Sequence, residues 1–444
     1  MRANSTSELR LPPGPEERLA FAQNGLIPSP LTVLSDLVER YGEVVRFSTR
    51  YNTSTLVNNP AYARQILGSH DFVRGALLRT ILGNGLLAAD GPHWERQRRT
   101  MLPEFRPAKV ESLVDSFREI TLEHIQNLLA VDETDPKNLT RIMERIALSN
   151  IASGLFGSDI SDSFLDAFGL VVRDLGALGN ATNFGMPLVR TPESNRNFSA
   201  AMQAIESSVD EILDAESNSR GLLHCLKSHQ TESGAPLTRR ELRDEIVTMI
   251  TAGHETTAVS LGWIWHVLMS QSAVCDNFYQ EIDRVLNGRP ITAQDVPKLT
   301  FTRQLIDETF RLYPPVWAIG RTALRDATVG EYHIPANSLV VISPFLLHRH
   351  PGYWTEPERF DPTRFADEAA HDDGSYIPFL SGRHLCIGKH FALTEIVVVL
   401  ATIAQRFRFR RANSEPVVFA PSIALRMQSP LRAFALPRQG ELVQ

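Results

Sequence analysis

A single cysteine with glycines on both sides is the residue of this chain best suited to chemistry. Cys386 lies in the stretch F-L-S-G-R-H-L-C-I-G-K-H-F-A-L-T-E, which runs from Phe379 to Glu395. Glycines allow the backbone to approach a flat partner closely. The apolar run after the cysteine predicts a helix, and backbone amides at the start of a helix favour a thiolate over a thiol. The pattern therefore indicates a thiolate presented as a metal ligand.

Two interpretations of Cys386 are open on these residues, because a lone cysteine is often only a small buried hydrophobic residue. Its neighbours favour the ligand, since a thiolate held in this way suits haem iron and pushes electron density toward O–O cleavage. The stretch resembles the haem-binding signature of the cytochrome P450 family, with these positions in place: Phe379, Gly382, Cys386, Gly388, Ala392 and Glu395. By this resemblance Cys386 is the iron ligand, and Phe379 and Gly388 lie against the haem. The family most often has arginine two residues before the cysteine, where this chain has His384 as the expected propionate contact.

A long helix is predicted after the capping box that begins at Thr238. Its middle contains A-G-H-E-T-T, and a glycine inside a helix costs about 1 kcal/mol relative to alanine, so a packing or functional reason is expected. The acid and the threonines could simply be solvated or bonded to a helix carbonyl. The motif resembles the oxygen-activation kink of the same family. That resemblance implies that Gly253, beside Ala252, leaves room over the iron. It also implies that Thr256 hydrogen-bonds the dioxygen and that Glu255 feeds a proton relay.

Arginines elsewhere extend the resemblance. Trp94 and Arg98 are four residues apart and share one helix face, which alone could be a solvated basic face with an anchoring tryptophan. By the resemblance, Arg98 donates a charge-assisted hydrogen bond to a haem propionate and Trp94 packs beside it. Arg321, at the start of a predicted strand, is expected to bind a propionate as well.

A second acid–base pattern is expected to be structural. Glu308 and Arg311 are three residues apart on a predicted helix, a spacing that is also common in surface ion pairs worth about 0.2–0.5 kcal/mol. The segment W-T-E-P-E-R-F follows at the distance found in the P450 family and contains Arg359. Glu308, Arg311 and Arg359 therefore resemble the buried triad of that family, which is not catalytic.

Composition restricts the possible partners and compartment. The 444 residues are 43% hydrophobic and 22% charged, as in globular proteins, and the net charge of −6 gives no reason to expect nucleic acid or an acidic membrane. The cysteines have unrelated spacings, which argues against a disulfide framework and fits a reducing compartment. The longest strongly apolar run, Ile396 to Ala404, is far shorter than the roughly 20 residues that span a bilayer. We expect a cytoplasmic protein of bacterial type without membrane contact.

The expected architecture is the mainly α-helical P450 fold with a small β-rich lobe. Residues 1–444 are expected to form a single haem domain, in which residues 1–29 are an extended lead-in, with neither a membrane anchor nor a fused reductase. An apolar substrate pocket is predicted, lined by the following residues: Leu77, Ile81, Leu86, Val316, Trp317 and Ile423.

The resemblance implies a monooxygenase that contains haem b with an axial cysteine thiolate. Such an enzyme consumes dioxygen, two electrons and two protons, and inserts one oxygen atom into an apolar small molecule while releasing water. A terpenoid, a polyketide or a fatty-acid-like compound of secondary metabolism would fit the predicted pocket. Two alternatives are open: a haem-thiolate enzyme that uses peroxide or couples substrates oxidatively, and a haem sensor without activity. The pair Glu255 and Thr256 argues against both a dedicated peroxide user and a sensor.

Electrons are expected to come from NAD(P)H through a ferredoxin or flavodoxin and its reductase. Basic residues in two segments that, by the resemblance, flank the cysteine side of the haem are expected to form the docking patch: Arg96, Arg99, Arg383, Lys389 and His390. Such a patch would steer an acidic ferredoxin to a chain of negative net charge.

Overall fold

Helices make up most of the structure. The computed structural model describes residues 10–19, 29–75, 79–129, 135–158, 160–184, 188, 191–214, 221–228, 235–367 and 373–438. Within these ranges the α-helices are α1 (Pro30–Tyr41), α2 (Pro60–Gly68), α3 (Arg79–Leu82), α4 (Gly91–Met101), α5 (Pro107–Glu111), α6 (Val114–Leu129), α7 (Leu139–Ile151), α8 (Asp162–Phe184), α9 (Pro192–Asp214), α10 (Leu222–Ser228), α11 (Arg239–Ser270), α12 (Ser272–Leu286), α13 (Thr300–Leu312), α14 (Pro344–Leu347) and α15 (Lys389–Ala404). The predicted mainly α-helical class with small sheets is confirmed. Among the described residues, no helix is both long and apolar enough to cross a membrane.

The strands form one larger sheet and several small ones. They are β1 (Val44–Ser48), β2 (Thr53–Val57), β3 (Phe72–Val73), β4 (Lys137–Asn138), β5 (Ile319–Ala323), β6 (Ala327–Val329), β7 (Tyr332–Ile334), β8 (Leu339–Ile342), β9 (Phe407–Arg411), β10 (Phe419–Pro421), β11 (Leu425–Met427) and β12 (Arg432–Pro437). The larger sheet has the order β1-β2-β8-β5-β3, in which only the β2–β8 pair is parallel. The others are β4-β12-β9, β6-β7 and the hairpin β10-β11.

The part of the predicted lead-in that the structure describes lies against the larger sheet. Residues 10–19 contain no helix, and the backbone N–H of Arg46 in β1 donates to the carbonyl of Pro13 at 2.7 Å. A Cβ at Gly14 would lie 1.7 Å from the carbonyl oxygen of Arg46, so only glycine permits this approach. Among the described residues, the first helix begins at Pro30. Residues 1–9 and 20–28 lie outside the described part, so the extended lead-in over residues 1–29 stays a prediction.

The helix α11 is the central element, and its predicted start is confirmed. Thr238 accepts from the backbone N–H of Glu241 at 3.3 Å, and the Glu241 carboxylate accepts from the backbone N–H of Thr238 at 2.8 Å. These two bonds satisfy amide donors that have no partner within the helix. With 32 residues α11 is roughly 48 Å long at 1.5 Å per residue. It contacts α7, α9, α12, α13 and α15, so most of its faces are buried in the main hydrophobic core.

The ion pair of Glu308 and Arg311 is buried on α13. Arg311 donates from Nε and Nη2 to both oxygens of the Glu308 carboxylate, at 2.6 and 2.7 Å, and both side chains are 0% exposed. The remaining donors of Arg311 reach the backbone carbonyls of His348, Pro357 and Arg359. A buried pair offsets the cost of desolvation only when its other donors and acceptors are also satisfied, as they are here.

The prediction that Arg359 is the third member of the buried triad is wrong. The Arg359 side chain is 61% exposed and pairs with Glu356, so Arg359 contributes only its carbonyl oxygen to the buried cluster. The second guanidinium group beside Glu308, after that of Arg311, belongs to Arg364, whose Nε lies 3.6 Å from Oε1 of Glu308. The backbone N–H of Asp361 donates to the same oxygen at 2.7 Å. Residues 354–365 contain two Arg-Phe pairs, Arg359-Phe360 and Arg364-Phe365. The prediction chose the first pair, whereas the fold places the arginine of the second pair beside Glu308.

Replacing Arg311 by Leu should destabilise the protein strongly, because the buried carboxylate of Glu308 would lose the two hydrogen bonds of its bidentate partner, which Arg364 at 3.6 Å does not make. The expected loss is about 3–5 kcal/mol in the free energy of unfolding, measured by urea denaturation. Arg359→Ala is the matched control and should leave the urea midpoint unchanged, since its side chain is exposed. Equal losses in the two variants would contradict the assignment of the buried pair.

Candidate functional site

The loop that presents Cys386 is shaped by its glycines, as the sequence predicts. A 3-10 turn at Gly382–His384 precedes the cysteine, and the backbone N–H of Cys386 donates to the carbonyl of Phe379 at 3.0 Å. Gly382 has a φ of 68°, and a Cβ there would lie 2.7 Å from the carbonyl oxygen of Leu67. A side chain at this position would therefore push the loop away from α2.

Cys386 is an exposed residue, but many protein atoms lie around its thiol and keep water from most of it. Desolvation raises the pKa of the Cys386 thiol, and the backbone N–H of Gly388 and the charges of Arg98 and Lys389 oppose this increase. A bound metal cation would reverse the balance, because a thiol that coordinates a metal loses its proton. A sulfur ligand with a backbone donor beside it therefore suits an iron centre.

A cluster of cations lies beside this loop. Trp94 on α4 packs edge-to-face against His384 with ring centroids 4.5 Å apart, and the Arg98 guanidinium lies 5.5 Å from the Trp94 ring centroid. Arg321 on β5 is buried, and burial lowers its pKa to about 10. The sequence motifs thus assemble around one place as the resemblance implies: the helix α4, the strand β5 and the cysteine loop.

A further arginine of this cluster, Arg74, was not predicted. It follows β3, whose Val73 pairs with Thr322 of β5, so the sheet brings Arg74 next to Arg321. Burial and then the charge of Arg321 lower the pKa of Arg74 to about 10. Its own sequence neighbourhood carries no distinctive motif, so only the strand pairing reveals it. The backbone N–H of Arg74 donates to Asp90 at 3.0 Å.

The cluster carries more positive charge than the protein neutralises. Among the described residues, Asp90 is the carboxylate whose charge opposes the lowered pKa of Arg74 and of Arg321, and Arg74 lies 3.8 Å from it. Burial also lowers the pKa of Arg98, and there the opposing group is Cys386. Nε of Arg321 is buried and has no hydrogen-bond partner in the part of the chain that the structure describes. Desolvation and the surrounding arginines lower the pKa of His384 to about 3, so this ring is neutral at pH 7. Three cations beside one carboxylate leave room for two anionic charges, which is the charge of the two propionates of haem.

The motif on α11 divides between two faces of the helix. Ala252 and Thr256 are one turn apart and half-buried, and the Thr256 hydroxyl donates to the Ala252 carbonyl at 2.7 Å. Glu255 is fully buried, and its carboxylate is bound by Arg426 on β11. The acid and the alcohol are therefore neighbours in sequence whose side chains make separate contacts.

The role expected of Gly253 is wrong in detail. The resemblance implies that this glycine leaves room over the iron. In the structure a Cβ at Gly253 would lie 2.4 Å from Cδ1 of Ile151, so the glycine permits close packing of α11 on α7. Successive helix residues point about 100° apart, so Gly253 cannot share the direction of both Ala252 and Thr256.

The segment 84–86, which carries the predicted pocket residue Leu86, is docked on α11 by two acidic residues. The backbone N–H of Asn84 donates to Asp244 at 2.9 Å, and that of Leu86 donates to Glu245 at 3.0 Å. Burial raises the pKa of Glu245 to about 8. The sequence predicts apolar contacts here, but the loop backbone is anchored by hydrogen bonds to the helix.

The other predicted pocket residues differ in their placement. Leu77 lies outside the described residues, and Ile81 lies within α3. Val316 and Ile423 are half-buried, as a pocket wall would be, and their role stays a prediction. Trp317 is buried in the core cluster beside α1, and its indole N–H donates to the Ser422 carbonyl at 2.8 Å, so its role in the pocket also stays a prediction.

Comparison with protein families agrees with this geometry. The family model described as Cytochrome P450 matches residues 12–433. The chain belongs to the cytochrome P450 family. It is therefore a haem-thiolate enzyme, and the buried cations and the cysteine loop fit that cofactor.

Similar proteins include two from Streptomyces melanosporofaciens. Cyclooctatin synthase is 32% identical over 374 residues, which cover 81% of this chain and 80% of that protein. Cyclooctat-9-en-7-ol 5-monooxygenase is 30% identical over 404 residues, covering 86% and 85%. Pentalenene oxygenase of Streptomyces avermitilis is 27% identical, covering 88% and 90%. Among solved structures, the heme domain of cytochrome P450DA superposes with a TM-score of 0.85 at 22% identity, covering 97% of this chain and 98% of that one, and shows the fold.

Replacing Cys386 by Ser should abolish the strongly red-shifted Soret band of the reduced carbon monoxide complex, because an alcohol does not supply the thiolate. The measurement is a difference spectrum of the haem-loaded variant. Cys225→Ser is the matched control and should keep the band. Retention of the band in Cys386→Ser would move the ligand to another cysteine.

Proposed function

We propose that this P450 inserts one oxygen atom from dioxygen into a terpenoid, with electrons from NAD(P)H delivered by a ferredoxin and its reductase. The observation that carries the substrate class is the likeness over most of the chain to proteins named for cyclooctatin, cyclooctat-9-en-7-ol and pentalenene. The half-buried apolar residues Val316 and Ile423 support an apolar substrate. The described cysteines are free, which fits a cytoplasmic enzyme.

The overall reaction balances as substrate C–H, dioxygen, two electrons and two protons giving the alcohol and water. When bound, thiolate-ligated haem supplies the oxygen activation. Cys386 would hold the metal, and Arg74, Arg98 and Arg321 would hold the propionates by charge-assisted hydrogen bonds. The pocket residues orient the substrate and exclude water.

We assign the delivery of protons to two side chains of α11, Thr256 and Glu255. Thr256 presents its hydroxyl from the half-buried helix face and fixes it by donating to the Ala252 carbonyl. In turnover the Thr256 Oγ1 exchanges this bond for one to the reacting oxygen. Glu255 resupplies the proton, and solvent resupplies Glu255. A dedicated peroxide user or a sensor would need neither group.

The substrate class is tested by optical titration of the haem-loaded protein with cyclooctat-9-en-7-ol and pentalenene, with lauric acid as the fatty-acid comparison. A terpenoid should shift the Soret band by displacing water from the metal, and lauric acid should not. Turnover of the shifting compound with NADPH, a ferredoxin and its reductase should give a mono-oxygenated product. Product formed with hydrogen peroxide but not with NADPH would instead favour the peroxide-using alternative.

The electron donor is expected to dock on the basic residues around the cysteine loop. Arg383 is already engaged by Glu95 and His70, so it contributes less to docking than its sequence position implies. Arg99 and Lys389 are exposed. These two charges are the best candidates to attract an acidic ferredoxin.

Changing both Arg99 and Lys389 to Glu should slow reduction by a plant-type ferredoxin about tenfold or more at low ionic strength, measured by stopped-flow. The salt dependence of the rate should flatten, because exposed charges act over a Debye length of roughly 8 Å at physiological salt. Substrate affinity should stay the same. Reduction at the parental rate would place the donor elsewhere.

A further inference from the structure

The carboxylate of Glu255 is held by a single arginine. Arg426 donates from Nε to Oε1 at 2.6 Å and from Nη2 to Oε2, and Glu255 is only 1% exposed. Both oxygens of the acid are therefore occupied by a bidentate, charge-assisted contact, which fixes orientation as well as charge. Nothing in the A-G-H-E-T-T motif indicates this partner, which lies 171 residues further along the chain.

The same arginine has a second carboxylate. Nη1 of Arg426 donates to Oε1 of Glu144 on α7 at 3.1 Å, and Arg141 approaches the other oxygen of Glu144 at 4.0 Å. Burial raises the pKa of Glu144, against the opposing charge of Arg426. The guanidinium group thus lies between two carboxylates and keeps a partner when one of them turns away.

The backbone that carries Arg426 is fixed to the helix that carries Glu255. The indole N–H of Trp263 on α11 donates to the Leu425 carbonyl at 2.7 Å, and the Leu425 N–H donates to the Pro315 carbonyl at 2.9 Å. Arg426 pairs with Ala420 across the hairpin β10-β11. The position of the arginine is therefore set by α11 itself and by the hairpin that carries Ile423.

We propose that Arg426 is the positioning residue of Glu255, and that Glu144 holds the guanidinium while the acid turns toward Thr256. This rests on the proposed proton delivery by Glu255 and Thr256. Arg426 stays protonated throughout. Once its carboxylate has turned away from Arg426, Glu255 takes a proton from solvent, passes it to Oγ1 of Thr256 and returns to Arg426 as the carboxylate. Without Arg426 the acid loses its place, and oxygen that has received two electrons and two protons leaves as hydrogen peroxide instead of going on to water with four of each.

The pairing is tested first by stability, without any substrate. Arg426→Gln, Glu255→Gln, Glu144→Gln and the two double variants with Arg426→Gln are compared by thermal unfolding of the haem-loaded protein. Each double variant should lose clearly less than the sum of its single variants, because contacting residues are non-additive. Arg438→Gln is the matched control: Arg438 has the same 20% side-chain exposure and pairs with Asp283 instead. Its combination with Glu255→Gln should be additive, and additivity for Arg426 as well would overturn the pairing.

The role is tested by the fate of oxygen during NADPH oxidation through a plant-type ferredoxin and its reductase, without added substrate. Thr256→Ala, Glu255→Gln and Arg426→Gln should each at least double the peroxide released per oxygen consumed. Arg426→Lys, which restores the charge, should return it toward the parent, and Glu144→Gln should lie in between. Arg438→Gln should match the parent.

The possible outcomes distinguish the proposed proton delivery from the positioning role of Arg426. Parental peroxide yields in both Thr256→Ala and Glu255→Gln would overturn the proposed proton delivery and the inference with it. Raised yields in those two with a parental or lower yield in Arg426→Gln would leave the proposed function standing and overturn the positioning role. A raised peroxide yield in Arg426→Gln that Arg426→Lys does not lower toward the parental value would also overturn the positioning role.

Discussion

Uncompensated positive charge beside Cys386 is the constraint on which the site depends. The Arg74 and Arg321 side chains are largely buried, Arg98 is half-buried, and Asp90 is the described carboxylate that acts on Arg74 and Arg321. Desolvated cations need anions, so this cluster is stable as a binding site for a dianionic group and costly as a mere core. The strands β3 and β5, the helix α4 and the cysteine loop all contribute to it.

Buried carboxylates on α11 bind two segments that pack against this helix. Asp244 and Glu245 accept hydrogen bonds from backbone amides of the segment 84–86, and Glu255 binds Arg426 of the hairpin β10-β11. The three acids thus fix two segments to the same helix. Because a buried carboxylate requires donors at defined positions, these contacts set loop placement more narrowly than apolar packing would.

Local pattern was sufficient for several elements. The capping box located the start of α11, and the glycines around Cys386 predicted a loop leading into α15. Trp94 and Arg98 share a helix face in the structure as their spacing predicts. These inferences succeeded because each depends on neighbours within a few residues, where backbone geometry dictates which side chains meet.

The sequence by itself determined the family, the cysteine loop, the start of α11 and the pair Glu308 and Arg311. Only the tertiary structure decided which arginine joins that pair, because Arg359 and Arg364 occupy equivalent Arg-Phe contexts and burial alone separates them. Arg74 and Arg426 became visible through strand pairing and through contacts across the chain. Partners of charged groups are chosen by desolvation, which depends on everything packed around them, whereas the start of a helix or the bend of a glycine loop depends on the local chain.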